Sequence, residues 1–482
     1  MTFTYTIAVV GQLSVGIGLA MLLPMAVSLI HDEAAWRAFL LSALVAVALG
    51  LGLYWIFRPA QKPILNHRAG VAIVALGWLA AGLLGGLPLL LSGDFTSFTD
   101  AAFESISGFT TTGASVLTSV EDAGKGVLFW RALTHWLGGM GFIVLSIAIL
   151  PFLGVGGMQL YKAEAPSPTP DRLAPRIRDT ASALWKVYLI LTALEVVLLL
   201  AGGMDWFDSV CHAMATMATG GFSTKNASMG GFDSAYLQWV VTVFMVLAGV
   251  NFTLHFMLFR GKPRAYPRDE EWRFYMIVYG LVTLGVGMGL WIAAGAGFEE
   301  GLRAAAFQVA TVLTTTGFAT TDYSLWPAFC LALIIPLMFV GGSAGSTGGG
   351  PKCMRVWVIF KQTYSELLRL VHPRVVAPVK LSGRSVEPEV LASVWGFLGL
   401  YLATFILVGV ALSAMGLGIT DSFSASIACL GNIGPGLGSV GPAGNYAHLP
   451  ALGKWVLSVA MIVGRLEIYT VLVLLLPEFW RN

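Results

Sequence analysis

Charged residues are scarce in this chain. Only 11% of its 482 residues are Asp, Glu, Lys or Arg, whereas 56% are hydrophobic and 12% are aromatic. Soluble domains typically carry about 25% charged residues, so this composition excludes an ordinary water-soluble surface. We therefore expect a polytopic membrane protein whose outer surface contacts the lipid bilayer, and we expect no nucleic-acid partner.

Cysteine is also rare, and its placement excludes two kinds of site. The four cysteines lie far apart in or beside apolar segments, so they predict neither a disulfide framework nor a metal-ligand cluster. The histidines His135, His212 and His255 fall on separate segments with no Asp or Glu pair beside them. An intramembrane enzyme would cluster such groups. We therefore expect no enzymatic activity, no catalytic residues and no covalently bound cofactor.

Long apolar runs are abundant. A membrane-spanning helix needs about 20 apolar residues. Walking the chain with this requirement predicts crossing helices at 7–30, 38–56, 69–91, 127–153, 185–201, 236–259, 274–294, 326–340, 390–415 and 451–476.

The basic residues are distributed unevenly between these helices. Most of the 28 Lys and Arg residues fall at 58–68, 162–186, 260–273 and 352–384. If the helices alternate in direction, all four segments lie on one side, which the positive-inside rule identifies as the cytoplasm. This orientation places both termini in the cytoplasm. Basic residues that merely solvate loops are the alternative, but they would not explain the low positive charge of the intervening connections.

Four short stretches look like versions of one loop, and each lies within sequence that is as apolar as a membrane-spanning segment. They are Thr111-Thr112-Gly113-Ala114, Ala218-Thr219-Gly220-Gly221, Thr315-Thr316-Gly317-Phe318 and Asn432-Ile433-Gly434-Pro435. Glycine-centred loops at membrane depth are tolerated only where they line water or protein, so four of them predict one ion pore. Close helix packing through Gly and Thr is the alternative for any single loop.

Each loop follows a segment of half a membrane span that has an acidic or polar residue at or near its start, as helix N-termini do. These half-helices are predicted at 100–110, 208–218, 302–314 and 421–430. The glycines taken as central, Gly113, Gly220, Gly317 and Gly434, recur at a nearly constant interval. The predicted fold class is therefore all-α, with four tandem units of helix, re-entrant half-helix with loop, and helix around one central pore. The predicted boundaries are 1–68 for a preceding helix pair, then 69–160, 161–262, 263–372 and 373–482 for the units.

Such loops provide the chemistry that a dehydrated cation needs. Backbone carbonyls from four loops around one axis can replace the hydration shell of K+, and glycine permits the conformations that turn carbonyls inward. Half-helices that direct their partially negative carbonyl ends at the pore favour cations over anions. The loops alone leave open the choice between K+ and Na+.

The third unit carries a glycine-rich interruption at 341–350. Glycine costs about 1 kcal/mol and proline about 3 kcal/mol relative to alanine in a helix interior, so this helix should break at mid-membrane. We expect the resulting loop, with Gly345, Gly348, Gly349 and Gly350, to gate ion flow on the inner side of the glycine loops. A helix end that unravels into a cytoplasmic linker is the alternative.

Arg465 lies inside the last apolar run, where a charge costs about 2.5 to 3.5 kcal/mol on insertion scales. Glu467 is two positions away and points to another side of a helix, so it provides no i,i+4 partner. We expect Arg465 to face the pore, where it would repel cations and help to set conduction or gating. A buried ion pair that fixes helix packing is the alternative.

Several motifs together resemble the bacterial TrkH and TrkG family of potassium-uptake proteins, which is related to KtrB and the plant HKT transporters. The resemblance spans essentially the whole chain and rests on the Thr-Thr-Gly loops, the glycine-rich interruption, Trp136-Leu137-Gly138-Gly139-Met140-Gly141-Phe142 and Gly464-Arg465-Leu466-Glu467. It implies four M1-P-M2 units (helix, pore half-helix, helix), a homodimer in the bacterial inner membrane, and transport of K+ with Rb+ as a surrogate. It also implies a cytosolic ring of TrkA-type subunits, and a nucleotide (ATP, ADP or NAD) bound on that partner only.

The resemblance also assigns roles to individual residues. It makes Arg465 and the segment 341–350 the intramembrane gate. Asn432, Ile433 and Pro435 depart from the Thr-Thr-Gly pattern, so we expect a lopsided filter ring. The K+-coordinating filter residues that it implies are Thr111, Thr112, Gly113, Thr219, Gly220, Thr315, Thr316, Gly317, Asn432, Ile433 and Gly434.

Other transport functions stay open. In the related plant transporters, serine at the first filter glycine accompanies sodium preference, so Gly113 points to K+ rather than to a Na+-selective relative. A K+ symporter coupled to H+ or Na+ would use alternating access and typically inverted repeats, whereas the four units predicted here run in the same direction.

Overall fold

Helices make up nearly all of the described structure. The computed structural model describes residues 3–59, 67–148, 173–295 and 297–480. Up to residue 259 its helices are α1 (Phe3–Ala20), α2 (Leu22–Ile30), α3 (Trp36–Phe57), α4 (His67–Ser92), α5 (Phe98–Phe109), α6 (Lys125–Ala148), α7 (Leu173–Ala201), α8 (Trp206–Met217), α9 (Ala235–Ala248) and α10 (Phe252–Phe259).

The second half of the chain continues the helical pattern and adds one small hairpin. Strands β1 (Lys380–Leu381) and β2 (Arg384–Ser385) pair antiparallel, a short exception to the predicted all-α class. The helices here are α11 (Ala265–Arg268), α12 (Glu270–Ala293), α13 (Phe298–Leu313), α14 (Ala328–Ile334), α15 (Cys353–Val371), α16 (Pro388–Ala414), α17 (Ile419–Leu430), α18 (Ala451–Arg465), α19 (Ile468–Leu472) and α20 (Pro477–Trp480). Short 3-10 turns lie at Ser228–Gly231, Tyr323–Leu325, Ile335–Phe339, Gly438–Val440 and Val473–Leu475.

Six helices in the described ranges are long and apolar enough to cross a membrane, which identifies a multi-pass membrane protein. They cover Thr4–Ile30, Trp36–Phe57, Arg68–Ser92, Asp179–Ala201, Glu270–Ala293 and Pro388–Ala414. Two more spans result if each of two bent pairs is counted once: α9 with α10, and α18 with the segment Ile468–Leu475. Of the other two predicted crossings, 127–153 corresponds to α6 as far as Ala148, with 149–153 outside the described residues. The segment 326–340 contains only the short α14 and a 3-10 turn.

Two predicted spans are not continuous helices. The sequence predicts one crossing helix at 236–259 and one at 451–476, but each segment consists of two helical pieces that meet at a bend of 101° or 114°. In the first, the Asn251 side chain accepts a hydrogen bond from the Thr253 N–H and so starts α10 as a new helix. In the second, Glu467 has a left-handed backbone with φ of 61°, which redirects the chain. The predicted break at 341–350 is confirmed, since the chain between Phe339 and Cys353 is not helical.

Four short helices, α5, α8, α13 and α17, are buried over their C-terminal parts, and they begin within a few residues of the predicted half-helices. Polar residues cap two of them: Ser97 accepts from the Asp100 N–H, and Asp205 accepts from the Phe207 N–H. Each short helix packs against the long helix before it, α4, α7, α12 or α16. This packing brings the four C-terminal ends into the interior.

Candidate ion pathway

The chain leaves each of the four short helices through the same backbone turn. The first residue of the turn is left-handed, with φ of 52° at Thr111, 54° at Thr219, 60° at Thr315 and 53° at Asn432. The N–H of the next residue donates to the carbonyl five positions back, at 2.8 Å in all four loops. This arrangement is the Schellman motif that ends a helix. The donor and acceptor pairs are Thr112 and Ser107, Gly220 and Ala215, Thr316 and Thr311, and Ile433 and Ala428.

The third residue of each turn is a glycine with positive φ. The angle is 81° at Gly113, 81° at Gly221, 86° at Gly317 and 96° at Gly434. The choice of Gly220 as the central glycine of the second loop is therefore wrong by one residue. The sequence offers two adjacent glycines there, and only the second takes the conformation that side chains disfavour. Gly221 therefore takes the position in the second loop that Gly113 takes in the first.

The four loops touch one another in chain order and close a ring. A Cβ atom added at Gly113 would overlap the carbonyl oxygen of Gly220 in the second loop. The same relation joins each loop to the next and the fourth loop to the first: Gly221 with Thr316, Gly317 with Ile433, and Gly434 with Thr112. Four glycines thus alternate with four backbone carbonyls, and no side chain fits at the contacts.

The left-handed residues store backbone strain. Three of them are threonine, and this conformation costs a β-branched residue about 1–3 kcal/mol. Buried hydrogen bonds hold the turns in place: the hydroxyl oxygens of Thr110 and Thr112 are 2.7 Å apart, as are those of Thr314 and Thr316. Strain of this kind is typical of ligand-binding positions.

The fourth loop differs from the others in its side chains but not in its backbone. Asn432 belongs to a residue type that tolerates the left-handed region. Its amide nitrogen donates to the Thr112 hydroxyl at 3.0 Å and to the Met461 carbonyl at 2.9 Å. The ring that the sequence predicted to be lopsided is therefore uniform in main-chain geometry.

A cavity of about 340 Å³ opens beyond the ring. All four loops contribute to its lining, through Gly113, Gly221, Gly317 and Pro435, and most of the other lining residues follow the loops in sequence. The ring is thus accessible from this side, as an ion pathway requires.

His135 connects the first loop to the second. Its Nδ1 donates to the Gly108 carbonyl at 2.8 Å and its Nε2 accepts from the Phe222 N–H at 3.2 Å, because a carbonyl can only accept and an N–H can only donate. The imidazole also stacks on the Phe222 ring with centroids 4.1 Å apart. His135 therefore positions backbone rather than taking part in a catalytic cluster.

The glycine-rich segment 341–350 lies against the helix ends that lead into the ring. Thr347 is fully buried, and its hydroxyl donates to the carbonyls of Met217 at 3.0 Å and Ala248 at 3.2 Å. The Gly349 N–H donates to the Thr315 hydroxyl at 2.6 Å. The segment is therefore packed beneath the loops rather than unravelled into a linker.

Arg465 reaches the same segment and is only 1% exposed. Its guanidinium donates to the carbonyl of Thr347 at 2.7 Å and to that of Gly138 in α6 at 3.3 Å. Glu467 forms its ion pair with Arg355 of α15, at 2.5 Å. Arg465 therefore links the glycine-rich segment to α6.

Two further charged side chains hold the ends of the segment, and the sequence analysis identified neither. One carboxylate oxygen of Glu271, in α12, accepts from the N–H of Ala344 at 2.7 Å and from that of Met354 at 3.0 Å. Lys352 donates its ammonium group to the Gly348 carbonyl. Hydrogen bonds from three places thus hold the segment: Glu271 of α12, Arg465 of α18, and Lys352 just after the segment itself.

The whole chain matches known proteins. A family model described as TrkH, cation transport protein, matches residues 36–286 and 298–481. Relatives named Trk system potassium uptake protein TrkH, from Halomonas elongata and Escherichia coli K12, are each 42% identical over 100% of both chains. The Trk system potassium uptake protein TrkG of Escherichia coli K12 is 34% identical over 96% of both chains.

The fold matches as completely as the sequence. The crystal structure of the potassium transporter TrkH from Vibrio parahaemolyticus superposes with a TM-score of 0.92 at 39% identity, with full coverage of both chains. That coverage includes the ring of loops and the glycine-rich segment. A full-length sequence match joined to the same fold means that this chain belongs to the TrkH family of cation transport proteins.

Proposed function

We propose that this chain takes up K+ across the bacterial inner membrane through a pore at the ring of four loops. The observation that carries the proposal is the closed ring, in which four alike turns bring backbone carbonyls around one axis. Carbonyl oxygens arranged in this way replace the hydration shell of a cation. The names of the relatives, potassium uptake proteins, favour K+ as that cation. We take Rb+ as its surrogate in transport measurements.

Three successive residues of each loop form the selectivity filter in this proposal. The short helices end at the loops, so their partially negative carbonyl ends favour a cation. The filter residues are Thr111, Thr112 and Gly113, then Thr219, Gly220 and Gly221, then Thr315, Thr316 and Gly317, then Asn432, Ile433 and Gly434.

The architecture that accompanies this function is four M1-P-M2 units after a helix pair at 1–68. The proposed units are 69–160, 161–262, 263–372 and 373–482, with both termini in the cytoplasm. Two observations support them: each short helix packs on the long helix before it, and all four end in the same turn.

The glycine-rich segment and Arg465 form the gate in this proposal, with Gly345, Gly348, Gly349 and Gly350 as its flexible positions. Burial of Thr347 beneath the loops supports this role, since a cation leaving the ring would meet the segment and the charge that holds it. Displacing the segment requires breaking the hydrogen bonds that Arg465 and Lys352 donate to its carbonyls and the one that Glu271 accepts from the Ala344 N–H.

A cytosolic ring of TrkA-type subunits is the proposed controller of the gate, and a second copy of the chain the proposed dimer partner. The helix that follows the glycine-rich segment, α15, exposes Tyr364, Leu367 and Leu370 to 66%, 56% and 78%. An apolar face joined directly to the gate is suited to a protein partner. We place the regulatory nucleotide, ATP, ADP or NAD, on that partner, and K+ as the transported ion on this chain.

A K+ symporter coupled to H+ or Na+ is the second candidate, and one observation favours it. Glu195 of α7 is fully buried, with the side chain of Thr216 as its polar neighbour. An ionisable residue at membrane depth is a candidate proton site. Uptake that requires an imposed pH gradient would support coupling, whereas uptake down a K+ gradient alone would support a pore.

The experiment that tests the main proposal is uptake of radiolabelled Rb+ into proteoliposomes, with K+ and Na+ as competitors, for the native chain and for Gly113→Ser. The native chain should admit Rb+ and be inhibited by K+ at far lower concentrations than by Na+. In Gly113→Ser the serine Cβ would collide with the Gly220 carbonyl, so the preference should weaken. The potassium proposal fails if Rb+ does not enter or if Na+ competes as well as K+.

A further inference from the structure

A buried ion pair lies behind the first and second loops. Glu104 is in α5 and Arg131 in α6, and the Arg131 Nε lies 2.8 Å from Glu104 Oε1. Their side chains are only 0% and 3% exposed, so the two charges interact away from water. Such a pair is strongly destabilising to break, because the remaining charge stays buried without its partner.

The pair forms hydrogen bonds with the segments that directly follow the ring glycines of loops 1 and 2. The carboxylate of Glu104 accepts from the Ser115 hydroxyl at 2.8 Å and from the Val116 N–H at 2.9 Å. Arg131 donates to the Ser115 hydroxyl and to the Ser223 carbonyl, each at 3.2 Å. Ser115 and Ser223 each lie two residues beyond a ring glycine, so one network fixes the distance between the two loops.

Arg131 also contacts the second loop through an aromatic ring. Its guanidinium carbon lies 4.1 Å from the centroid of Phe222, the residue that follows Gly221. Hydrogen bonds between ionised groups are roughly twice as strong as neutral ones. The junction of loops 1 and 2 is therefore held by charge-assisted bonds on both sides.

At the other junctions the hydrogen bonds described next join neutral groups, and the charged contact of Lys454 with the Ala447 carbonyl and Asp100 lies 13 residues in sequence from Gly434 and from Gly113. Between loops 2 and 3, the Gly230 N–H donates to the Ala319 carbonyl at 3.0 Å. The Tyr323 hydroxyl donates to the Gly436 carbonyl at 2.7 Å, which joins the segment after loop 3 to loop 4. Between loops 4 and 1, the Tyr446 N–H donates to the Ser115 carbonyl at 2.8 Å.

We propose that the Glu104–Arg131 pair determines ion specificity by holding loops 1 and 2 at the separation that suits K+. The inference rests on the proposed filter function of the loops. Na+ is smaller and needs its oxygen ligands closer, so a ring that cannot contract discriminates against it. Because the ring is closed, a clamp on one junction constrains all four loops. Glu104 and Arg131 are positioning residues, since they act through the backbone and not on the ion.

The test measures competition of Na+ and K+ against Rb+ uptake in proteoliposomes for the full-length variants Glu104→Gln and Arg131→Lys. Glutamine keeps the shape of glutamate without its charge, and lysine keeps the charge of arginine without its planar fork. Both variants should still admit Rb+, while Na+ should compete about tenfold better than in the native chain, a change of about 1.4 kcal/mol.

Lys361→Met is the matched control. Lys361 of α15 pairs at 2.5 Å with Glu270 of α12, so this ion pair of similar length also joins two helices, but neither partner belongs to the loops or to the segments that follow them. Native competition in Lys361→Met together with weakened discrimination in Glu104→Gln supports the inference. Native discrimination in both Glu104→Gln and Arg131→Lys, or equal loss in all three variants, overturns it.

Ser115→Ala is the variant to measure if Glu104→Gln or Arg131→Lys does not fold well enough to be purified. It removes only the Ser115 hydroxyl, which hydrogen-bonds to both Glu104 and Arg131. Weakened discrimination in Ser115→Ala supports the inference, and native discrimination then counts against it. Gly113→Ser separates the two proposals. If it changes competition while the clamp variants do not, the filter stands and only the clamp fails.

Discussion

Replacing Gly221 with alanine tests the closure of the ring at a single contact. Gly221 has φ of 81°, and its added Cβ would overlap the Thr316 carbonyl of the next loop. The left-handed conformation costs alanine about 1–2 kcal/mol, and overpacking adds about 1–3 kcal/mol. Because the obstructing atom belongs to the backbone, the ring must open for alanine to fit. We therefore expect at least an approximately tenfold loss of Rb+ uptake in proteoliposomes and stronger competition by Na+.

Gly203→Ala provides the matched control. Gly203 has φ of 84°, but a Cβ added there meets nothing within 4 Å. Its alanine variant therefore carries the same backbone cost without the collision, and both variants should lose similar stability from the backbone alone. If Gly221→Ala transports and discriminates as Gly203→Ala does, the ring contacts do not control permeation and the reasoning fails.

Two predictions concern the gate. Arg465→Met keeps a long side chain but removes the donors to the Thr347 and Gly138 carbonyls. In the absence of any cytosolic partner, the leak of Rb+ through the chain should therefore rise severalfold. An unchanged leak contradicts the proposed gate. Glu271→Gln weakens a charged acceptor of two N–H groups, and neutral hydrogen bonds are roughly half as strong, so the leak should rise less while ion competition stays native. Glu366→Gln, a change at a side chain that is 54% exposed on α15, should leave the leak unchanged.

The short helices and the left-handed loops could be predicted from the sequence because their signals are local. Each helix carries an acidic residue in its first turn, and the length before the glycine is half a membrane span. The break at 341–350 was likewise predictable from the six glycines in this segment and the proline that follows it. The sequence could not predict which glycine of the second loop takes the positive φ. Gly220 and Gly221 are adjacent, and only packing against Thr316 selects between them.

The remaining features depend on contacts between distant parts of the chain. Glu467 redirects the last helix where its carboxylate meets Arg355, which is 112 residues away in sequence. Glu271 and Ala344 are 73 residues apart. Glu104 and Arg131 lie on different helices, and no spacing rule links them. Such pairs become visible only when the helices are placed beside one another.

The central claim is that the four loops together bind one dehydrated cation. The most direct measurement is the anomalous difference density of crystals of this chain grown in Rb+ in place of K+. We predict an Rb+ peak on the axis enclosed by the carbonyls of Thr112, Gly220, Thr316 and Ile433. Ordered Rb+ found only elsewhere in the molecule, with none inside the ring, would contradict the claim.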